Sequence, residues 1–244
     1  MIPNPWDAGS AKVLAALGFQ ALATTSAGFA FTLGRPDGGV TLDELAGHVS
    51  LLAEATDLPL SVDAENGFGA DPGDAARTIA RIAEAGAVGG SIEDYDADNG
   101  IYEISHAAER IAAAREAARG LDHSFTLTAR AENYVRGNPD LDDTIARLQA
   151  YEGAGADVVF APRMRDIEEI RSVAEAVERP LNVLAVPGVS FEEIVDAGGQ
   201  RVSVGGRLTW TAVEAMAETA LRIRDDGDFS SLGDASRVEG WLSS

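Results

Sequence analysis

The sequence predicts an α/β fold, a closed (β/α)8 barrel of parallel strands that occupies residues 1–244 as a single domain. Short β-rich runs alternate with amphipathic, alanine-rich stretches along the chain, which is the pattern of repeated βα units. Several helical stretches end in a glycine turn before the next strand, as at Gly18, Gly86 and Gly155. A chain of 244 residues is long enough for such a barrel without a second domain.

Eight short runs bounded by turn residues are predicted to be strands, and eight longer stretches with apolar residues at helical spacing are predicted to be helices. An open, doubly wound sheet is the alternative, but the glycine fingerprint that often marks dinucleotide binding in such sheets is missing. In chain order, the predicted strands are Ile2–Asn4, Ala21–Ser26, Leu58–Ala64, Val88–Glu93, Phe125–Arg130, Val158–Ala161, Leu181–Ala185 and Val202–Gly205. The predicted helices are Ala8–Leu17, Leu42–Ala55, Pro72–Ala85, Ser105–Arg119, Leu141–Ala154, Ile167–Val177, Phe191–Asp196 and Thr211–Arg224.

The composition is typical of a soluble globular protein, with 45% hydrophobic and 24% charged residues. No run is apolar enough to form a membrane helix, and the first six residues lack the basic and apolar regions of a signal peptide, so we expect a cytoplasmic protein. Because the chain has no cysteine, a disulfide, a thiolate nucleophile and a thiolate metal site are excluded. The last segment, 225–244, is polar with an apolar Trp241-Leu242 pair, and is predicted to be a tail or an arm that docks on a neighbour.

The formal charge of -21 argues against nucleic acid or an anionic membrane as a partner, since both would be repelled. Lys12 is the only lysine, so the basic residues are almost all arginine. An acidic, lysine-poor surface is expected of a salt-adapted organism, but a GC-rich genome and an ordinary acidic enzyme explain it equally well.

Acidic residues follow several predicted strands at the end where a barrel gathers its catalytic groups. Asp63 and Glu65 follow one strand, Glu93 ends the next, and Asp37 lies in the loop after the second strand. A single acid in such a place is more often a helix N-cap or a solvated loop residue. Several acids at one mouth repel each other unless a cation lies between them, and all-oxygen ligation suits magnesium or manganese. The joint pattern therefore predicts a divalent metal site.

Arg130 emerges from a buried strand at the same end of the predicted barrel. A guanidinium there is destabilising without an anion, so either a structural carboxylate or the carboxylate of a small substrate must face it. We favour the carboxylate of the substrate as the anion that faces Arg130.

The stretches Thr25-Ser26-Ala27-Gly28, 63–69 (Asp-Ala-Glu-Asn-Gly-Phe-Gly) and Ile92-Glu93-Asp94 resemble the isocitrate lyase and phosphoenolpyruvate mutase superfamily. The likeness extends over nearly the whole chain. The resemblance implies an α/β barrel, a homodimer or homotetramer with a swapped terminal helix, and magnesium that holds 2-oxo or enol carboxylates.

Carried over by position, the resemblance implies that Asp63 binds the metal directly, while Asp37, Glu65 and Glu93 hold it through water. It implies that Arg130 clamps the anionic end of the substrate. The substrate carboxylate would be cradled by the segment that contains Thr25, Ser26, Ala27 and Gly28. Together these groups would stabilise an enolate as its charge develops.

The loop after Glu93 departs from the family pattern. The carbon–carbon lyases carry a cysteine and a lysine there, and the phosphonomutases carry a lysine, whereas 94–103 has neither; Pro162 stands where the phosphonomutases place a histidine. Tyr95 and Asn99 are the loop residues predicted to take part in chemistry, with Tyr102 as a further candidate, if the loop closes over the substrate as a lid.

The remaining candidates are weaker. His48 and His123 are predicted to be packing or surface residues, and His106 to begin a helix, although it could supply a proton. Lys12 lies in the first helix, which disfavours a Schiff-base aldolase. Gly205-Gly206-Arg207 only weakly resembles a barrel phosphate site.

The sequence thus predicts a metal-dependent enzyme that acts on a small 2-oxo or 2-hydroxy mono- or dicarboxylate through an enolate-like intermediate, as a carbon–carbon lyase or a decarboxylase. A phosphonate mutase or hydrolase, and a carboxylate-binding protein without catalysis, are the alternatives.

Overall fold

The computed structural model describes residues 1–242 and shows a parallel sheet that curves into a barrel, as predicted. Seven strands follow the order β1-β2-β3-β6-β7-β8-β9, and β4 pairs with β5 in a separate hairpin. The strands are β1 Leu22–Ala23, β2 Leu60–Asp63, β3 Gly89–Glu93, β4 Tyr95–Asp96, β5 Gly100–Ile101, β6 Thr126–Arg130, β7 Val158–Phe160, β8 Leu181–Leu184 and β9 Gly199–Ser203. The helices are α1 Ala8–Ala16, α2 Ser26–Thr32, α3 Leu42–Ala55, α4 Pro72–Glu84, α5 Ile104–Arg119, α6 Leu141–Gly153, α7 Ile167–Ala176, α8 Phe191–Asp196, α9 Arg207–Asp226 and α10 Ser236–Leu242.

The amino-terminal segment closes the barrel between β9 and β1. The Ile2 amide donates to the Val202 carbonyl at 2.8 Å, and the Ala23 amide donates to the Pro3 carbonyl at 3.0 Å. The predicted strand Ile2–Asn4 is nevertheless reduced to one isolated bridge between Ile2 and Ser203. Prolines on both sides of the fourth residue explain the correction, because they supply no amide donors for a longer ladder.

The Asn4 side chain completes this closure. Its Nδ2 donates to the Thr24 carbonyl at 2.9 Å, and its Oδ1 accepts from the amides of Val204 and Gly205, each at 2.9 Å. Asn4 is buried, so these three bonds satisfy backbone groups that water cannot reach.

Several predicted boundaries need correction. The strand predicted over Ala21–Ser26 ends at Ala23, because Thr25 is the N-cap of α2, its hydroxyl accepting from the Gly28 amide at 3.3 Å. The last long helix begins at Arg207 rather than Thr211. The strand predicted at Val202–Gly205 begins at Gly199 and ends at Ser203.

Helix ends follow the chemistry visible in the sequence. The Thr41 hydroxyl caps the amide of Glu44 at the start of α3, and the Glu44 carboxylate accepts from the Thr41 amide at 2.9 Å. The predicted glycine turns are confirmed: Gly86 has a φ of 108°, and a Cβ there would lie 2.8 Å from the Ala53 Cβ.

The carboxyl-terminal segment is partly helical rather than a plain tail. Helix α10 contacts α1, and Lys12 Nζ lies 3.4 Å from the Leu242 carbonyl; residues 243 and 244 of the predicted tail lie outside the described residues. Helix α9 leaves Trp210, Met216 and Leu221 exposed. The homodimer or homotetramer that the resemblance implies stays a prediction.

Within residues 1–242, no helix has both the length and the apolar character needed to span a bilayer.

Replacing Asn4 with alanine is expected to lower the free energy of unfolding by roughly 2–4 kcal/mol, because three hydrogen bonds at the barrel closure are lost and buried backbone groups are left unsatisfied. Urea unfolding measures the change. Gln20→Ala is the matched control, since its exposed amide bonds only to the Gly18 carbonyl at 2.9 Å. Equal stability of the two variants would contradict the role assigned to Asn4.

Candidate active site

A cavity of about 350 Å³ opens at the carboxyl ends of the barrel strands. Six of the predicted site residues line it: Thr25, Ser26, Ala27, Asp37, Asp63 and Arg130. Gly28 does not line it; it lies within α2, where a Cβ would lie 2.8 Å from Thr209 Oγ1 and 2.9 Å from Trp6 Cβ. The glycine therefore allows close packing of the cradle segment.

Arg130 is the charge centre of the site. Its Nη1 lies 3.4 Å from Asp63 Oδ1 and 3.3 Å from Glu93 Oε2, and its Nε donates to Glu132 Oε1 at 2.5 Å. The register brings them together, since Glu93 on β3 pairs with Arg130 on β6. The three carboxylates raise the pKa of Arg130 above its usual range against the opposing effect of burial. The sequence left either a structural carboxylate or a substrate carboxylate to face Arg130, and the structure shows that structural carboxylates do so.

A second arginine, Arg136, also reaches the acidic layer formed by Asp63, Glu93 and Glu132. Its Nη2 lies 3.4 Å from Glu93 Oε1 and 3.2 Å from Glu132 Oε2. Burial raises the pKa of Glu93 to about 8, with Arg130 opposing the rise and Glu132 adding to it. Three carboxyl groups, those of Asp63, Glu93 and Glu132, thus share two guanidinium groups here.

Glu65 is held in a strained conformation beside these groups. Its φ of 48° lies in the left-handed region, which costs a non-glycine residue about 1–3 kcal/mol. Its Oε1 is buried and has no hydrogen-bond partner among the described residues. Burial, together with the charges of Asp63 and Asp37, raises the pKa of Glu65 to about 8. A cation would relieve both the repulsion and the missing partner.

Arg110 holds the loop that carries Glu65. This fully buried side chain on α5 donates to the carbonyls of Gly69 at 2.7 Å and Asp71 at 3.1 Å, and also to that of Asn66. Its role was not predicted, because nothing in the sequence shows that α5 packs against this loop.

The donor set fits a hard divalent cation, either Mg²⁺ or Mn²⁺. Within residues 1–242, no three acidic or histidine side chains are gathered as a cage of direct ligands. The predicted arrangement does not need one, because only Asp63 is expected to touch the ion, and Mg²⁺ usually keeps several waters. The unpartnered Glu65 oxygen and the surplus of carboxylates support a cation here. Asp37, Glu65 and Glu93 therefore remain the predicted water-mediated holders.

The loop after Glu93 folds into the β4–β5 hairpin, which had not been predicted. The guanidinium of Arg136 lies 3.5 Å from the centre of the Tyr95 ring, so the hairpin is tied to the acidic layer. Asn99 lies at the hairpin turn, where its Nδ2 donates to Asp96 Oδ1 at 2.9 Å. Neither Tyr95 nor Asn99 is among the residues that line the cavity. Their catalytic roles stay predictions that require the hairpin to move.

Asp94, next to Glu93, points away from the cavity into the packing between β3 and α6. It accepts from the Tyr151 hydroxyl at 2.5 Å, from Arg147 Nη1 at 3.1 Å and from the Glu132 amide at 2.8 Å. Burial raises the pKa of Asp94, and these donors oppose the rise. Asp94 therefore anchors the strand end.

The histidines are not at the cavity. His48 is buried and stacks on Phe29 with ring centres 3.9 Å apart, and His123 lies beside the exposed Asp122, so their packing and surface roles are confirmed. His106, near the start of α5, lies 2.9 Å from the Ala70 carbonyl.

Comparison with known proteins identifies the family of this barrel. The family model for phosphoenolpyruvate phosphomutase matches residues 1–224. The chain belongs to the phosphoenolpyruvate mutase family. The family is part of the isocitrate lyase/phosphoenolpyruvate mutase superfamily, whose members are lyases, mutases and hydrolases of small carboxylates and are typically metal-dependent.

Three relatives illustrate the match. A crystal structure from Burkholderia cenocepacia J2315, provisionally assigned as a lyase or mutase, is 49% identical with a TM-score of 0.96, and the match covers 100% of this chain and 91% of the other. A 2-methylisocitrate lyase of Halalkalibacterium halodurans is 34% identical, covering 93% of this chain and 78% of its own. Oxaloacetate acetylhydrolase in complex with its product oxalate is 26% identical, with a TM-score of 0.89 and coverage of 99% and 88%.

Magnesium is expected to raise the melting temperature of this family member, because the ion binds only where the folded chain gathers the acids. Binding at a hundred times Kd stabilises by about 2.7 kcal/mol, or roughly 5–10 °C for a chain of this size. Asp63→Asn should lose the shift, whereas Asp122→Asn, a change at a fully exposed side chain, should keep it. A shift that sodium chloride of equal ionic strength reproduces would contradict a specific site.

Proposed function

We propose that this protein is a metal-dependent enzyme that cleaves a carbon–carbon bond of a small 2-oxo or 2-hydroxy carboxylate, as a lyase or decarboxylase. The observation that carries the proposal is the position of Arg130, which lines the cavity while contacting Asp63 and Glu93. One cavity therefore offers a carboxylate clamp next to a cluster of acids suited to a divalent cation.

In the proposed reaction, Arg130 binds the substrate carboxylate through the donors that its three acid partners leave free. Glu132, fully buried, fixes the plane of the guanidinium and so sets the direction of the clamp. Thr25, Ser26 and Ala27 also line the cavity, and the Ser26 amide donates to Asp63 Oδ2 at 3.3 Å, so this segment would position the same end of the substrate. Asp63, with Asp37, Glu65 and Glu93, would hold Mg²⁺ or Mn²⁺, which supplies Lewis-acid stabilisation of the developing enolate.

The enolate must then be protonated, and Tyr95 is the better placed of the two predicted hairpin groups. Its ring lies against Arg136, which contacts Glu93 in the acidic layer, whereas Asn99 is bound to Asp96 at the exposed turn. Closure of the hairpin would bring the Tyr95 hydroxyl towards the cavity and exclude water.

Two of the relatives support the proposed carbon–carbon chemistry. A 2-methylisocitrate lyase and an oxaloacetate acetylhydrolase match most of this chain, and both names denote enzymes of small carboxylates. A binding role without a metal explains the clamp but leaves the strained Glu65, with its unpartnered oxygen, without a use.

An NMR screen of 2-oxo acids, substituted malates and phosphonopyruvate, each with Mg²⁺ or Mn²⁺, tests the proposal. We expect cleavage of one carbon–carbon bond, lost on chelation and reduced by at least about a thousandfold in kcat by Asp63→Ala, because the charge stabilisation of the enolate disappears. The control is Asp122→Ala. Turnover of phosphonopyruvate alone would instead support the mutase or hydrolase, and binding of oxalate without any turnover would support the binding protein.

Tyr95→Phe is expected to lower kcat by about a hundredfold or more with KM little changed, since it removes a proton donor but not a binding group. Steady-state kinetics on the substrate found in the screen measure both constants. Tyr134→Phe is the matched control, because Tyr134 does not line the cavity. An unchanged kcat in Tyr95→Phe would assign the proton to another donor.

A further inference from the structure

Arg201 is a cation inside the barrel without a carboxylate partner among residues 1–242. Its Nε donates to Asn182 Oδ1 and its Nη2 to Thr128 Oγ1, both at 2.8 Å, and both acceptors are neutral. Burial lowers the pKa of Arg201 to about 10, so the side chain stays charged at neutral pH. A buried charge is destabilising unless an opposite charge meets it, so the arrangement needs an explanation.

The guanidinium lies one layer deeper in the barrel than Arg130. It reaches Thr128, which precedes Arg130 by two residues on β6 and therefore lies on the same face of that strand. Ser61 and Ser91 occupy the matching positions, two residues before the acids of β2 and β3, and both line the cavity. Barrel interiors are usually filled with valine, isoleucine and leucine. A polar chamber below the acidic layer replaces that packing here.

Arg201 has hydrogen-bond donors that no group in the chamber accepts. A guanidinium has five N–H groups, and the two hydrogen bonds to Asn182 and Thr128 use only two of them. The Asn182 amide is fixed in turn, since its Nδ2 donates to Ser203 Oγ at 3.1 Å. Arg201, Asn182 and Ser203 all line the cavity, so a ligand there can meet the remaining donors.

The absence of an acid beside Arg201 contrasts with the rest of the chain, which has 40 acidic and 19 basic residues. Arg130 contacts three carboxylates in the same cavity. Arg163 and Arg207 also line the cavity, and neither they nor Arg201 form an ion pair with any part of the chain that the structure describes. Arg163 moreover has a φ of 67°, a strained conformation for arginine. The cavity thus contains three arginines without an acidic partner among residues 1–242.

We propose that Arg201, with Asn182 and Ser203, forms a second anion subsite that binds a carboxylate at the far end of the substrate while Arg130 holds the first. The planar fork of arginine matches a carboxylate. One cation among neutral groups balances the single charge of a carboxylate but leaves a dianionic phosphoryl group half neutralised. The inference rests on the proposed function for the 2-oxo or 2-hydroxy acid and adds that this acid is a dicarboxylate.

Calorimetric titration with a matched pair of probes tests the subsite in the presence of Mg²⁺. 2-Oxoglutarate and 2-oxovalerate have the same chain length and differ in the second carboxylate. The native protein is expected to prefer 2-oxoglutarate by at least about tenfold, and Arg201→Met to lose that preference with its affinity for 2-oxovalerate retained. The same preference in both proteins overturns the proposal. An Arg201-dependent preference for phosphonopyruvate over 2-oxoglutarate overturns the carboxylate assignment.

Two further variants separate a ligand role from a structural one. Methionine retains a stem like that of arginine and removes the charge, so without ligand Arg201→Met should melt at or above the native temperature. Asn182→Asp places a carboxylate where Oδ1 now accepts from Arg201 Nε at 2.8 Å, so it should stabilise the fold and abolish the preference for 2-oxoglutarate. Arg201→Lys, which keeps the charge without the fork, replaces the methionine variant if that one does not fold, and should show a weakened preference.

A metal-free measurement keeps this proposal separate from the proposed function. In EDTA, succinate should raise the melting temperature of the native protein and of Asp63→Asn, but not of Arg201→Met. If 2-oxo acids do not bind but the succinate shift depends on Arg201, the proposed function fails and the subsite stands. An equal succinate shift in Arg201→Met and the native protein overturns the subsite.

Discussion

The ion pairs of Arg130 allow carboxylates to lie at neighbouring strand ends without forcing the barrel apart. One guanidinium contacts Asp63, Glu93 and Glu132, which come from two other chain segments and its own. Without that charge, the acids would repel each other or take up protons. The contact depends on β3 lying next to β6, and the intervening β4–β5 hairpin folds outside the barrel so that this pairing can form. The ion pairs of Arg130 thus depend on the order of the strands in the sheet.

The acids themselves are held by structure that lies outside the cavity. Glu65 has a left-handed backbone, and Arg110 on α5 fixes the following turn through three carbonyl groups. Asp94 anchors the end of β3 through Tyr151 and Arg147 in the same way. Buried hydrogen bonds outside the cavity thus fix the loop that follows Glu65 and the end of β3.

The parts of the site that were predictable are those that depend on local sequence. Asp63, Glu93 and Arg130 each end a strand, and parallel strands of a barrel end on one side, so their meeting follows from the βα pattern. Arg110 and Arg201 were not identified, because their roles depend on which distant elements pack against them. The segment around Asn4 forms one isolated bridge instead of the predicted strand, because two prolines remove amide donors from it.

The two buried arginines of the cavity differ in a way that bears on substrate orientation. Arg130 lies in a layer where carboxylates exceed guanidinium groups, so that layer attracts a cation. Arg201 lies a layer deeper among neutral groups, so its surroundings attract an anion. A cavity with an acidic layer above an unpaired arginine favours one orientation of a ligand, because reversing the ligand would place each end in an unfavourable field. Under the proposed function, the metal-binding end of the substrate would lie in the acidic layer and its remaining carboxylate beside Arg201. This polarity also gives a reason for the polar chamber, since the apolar side chains that usually fill a barrel could neither keep Arg201 charged nor admit a carboxylate to it.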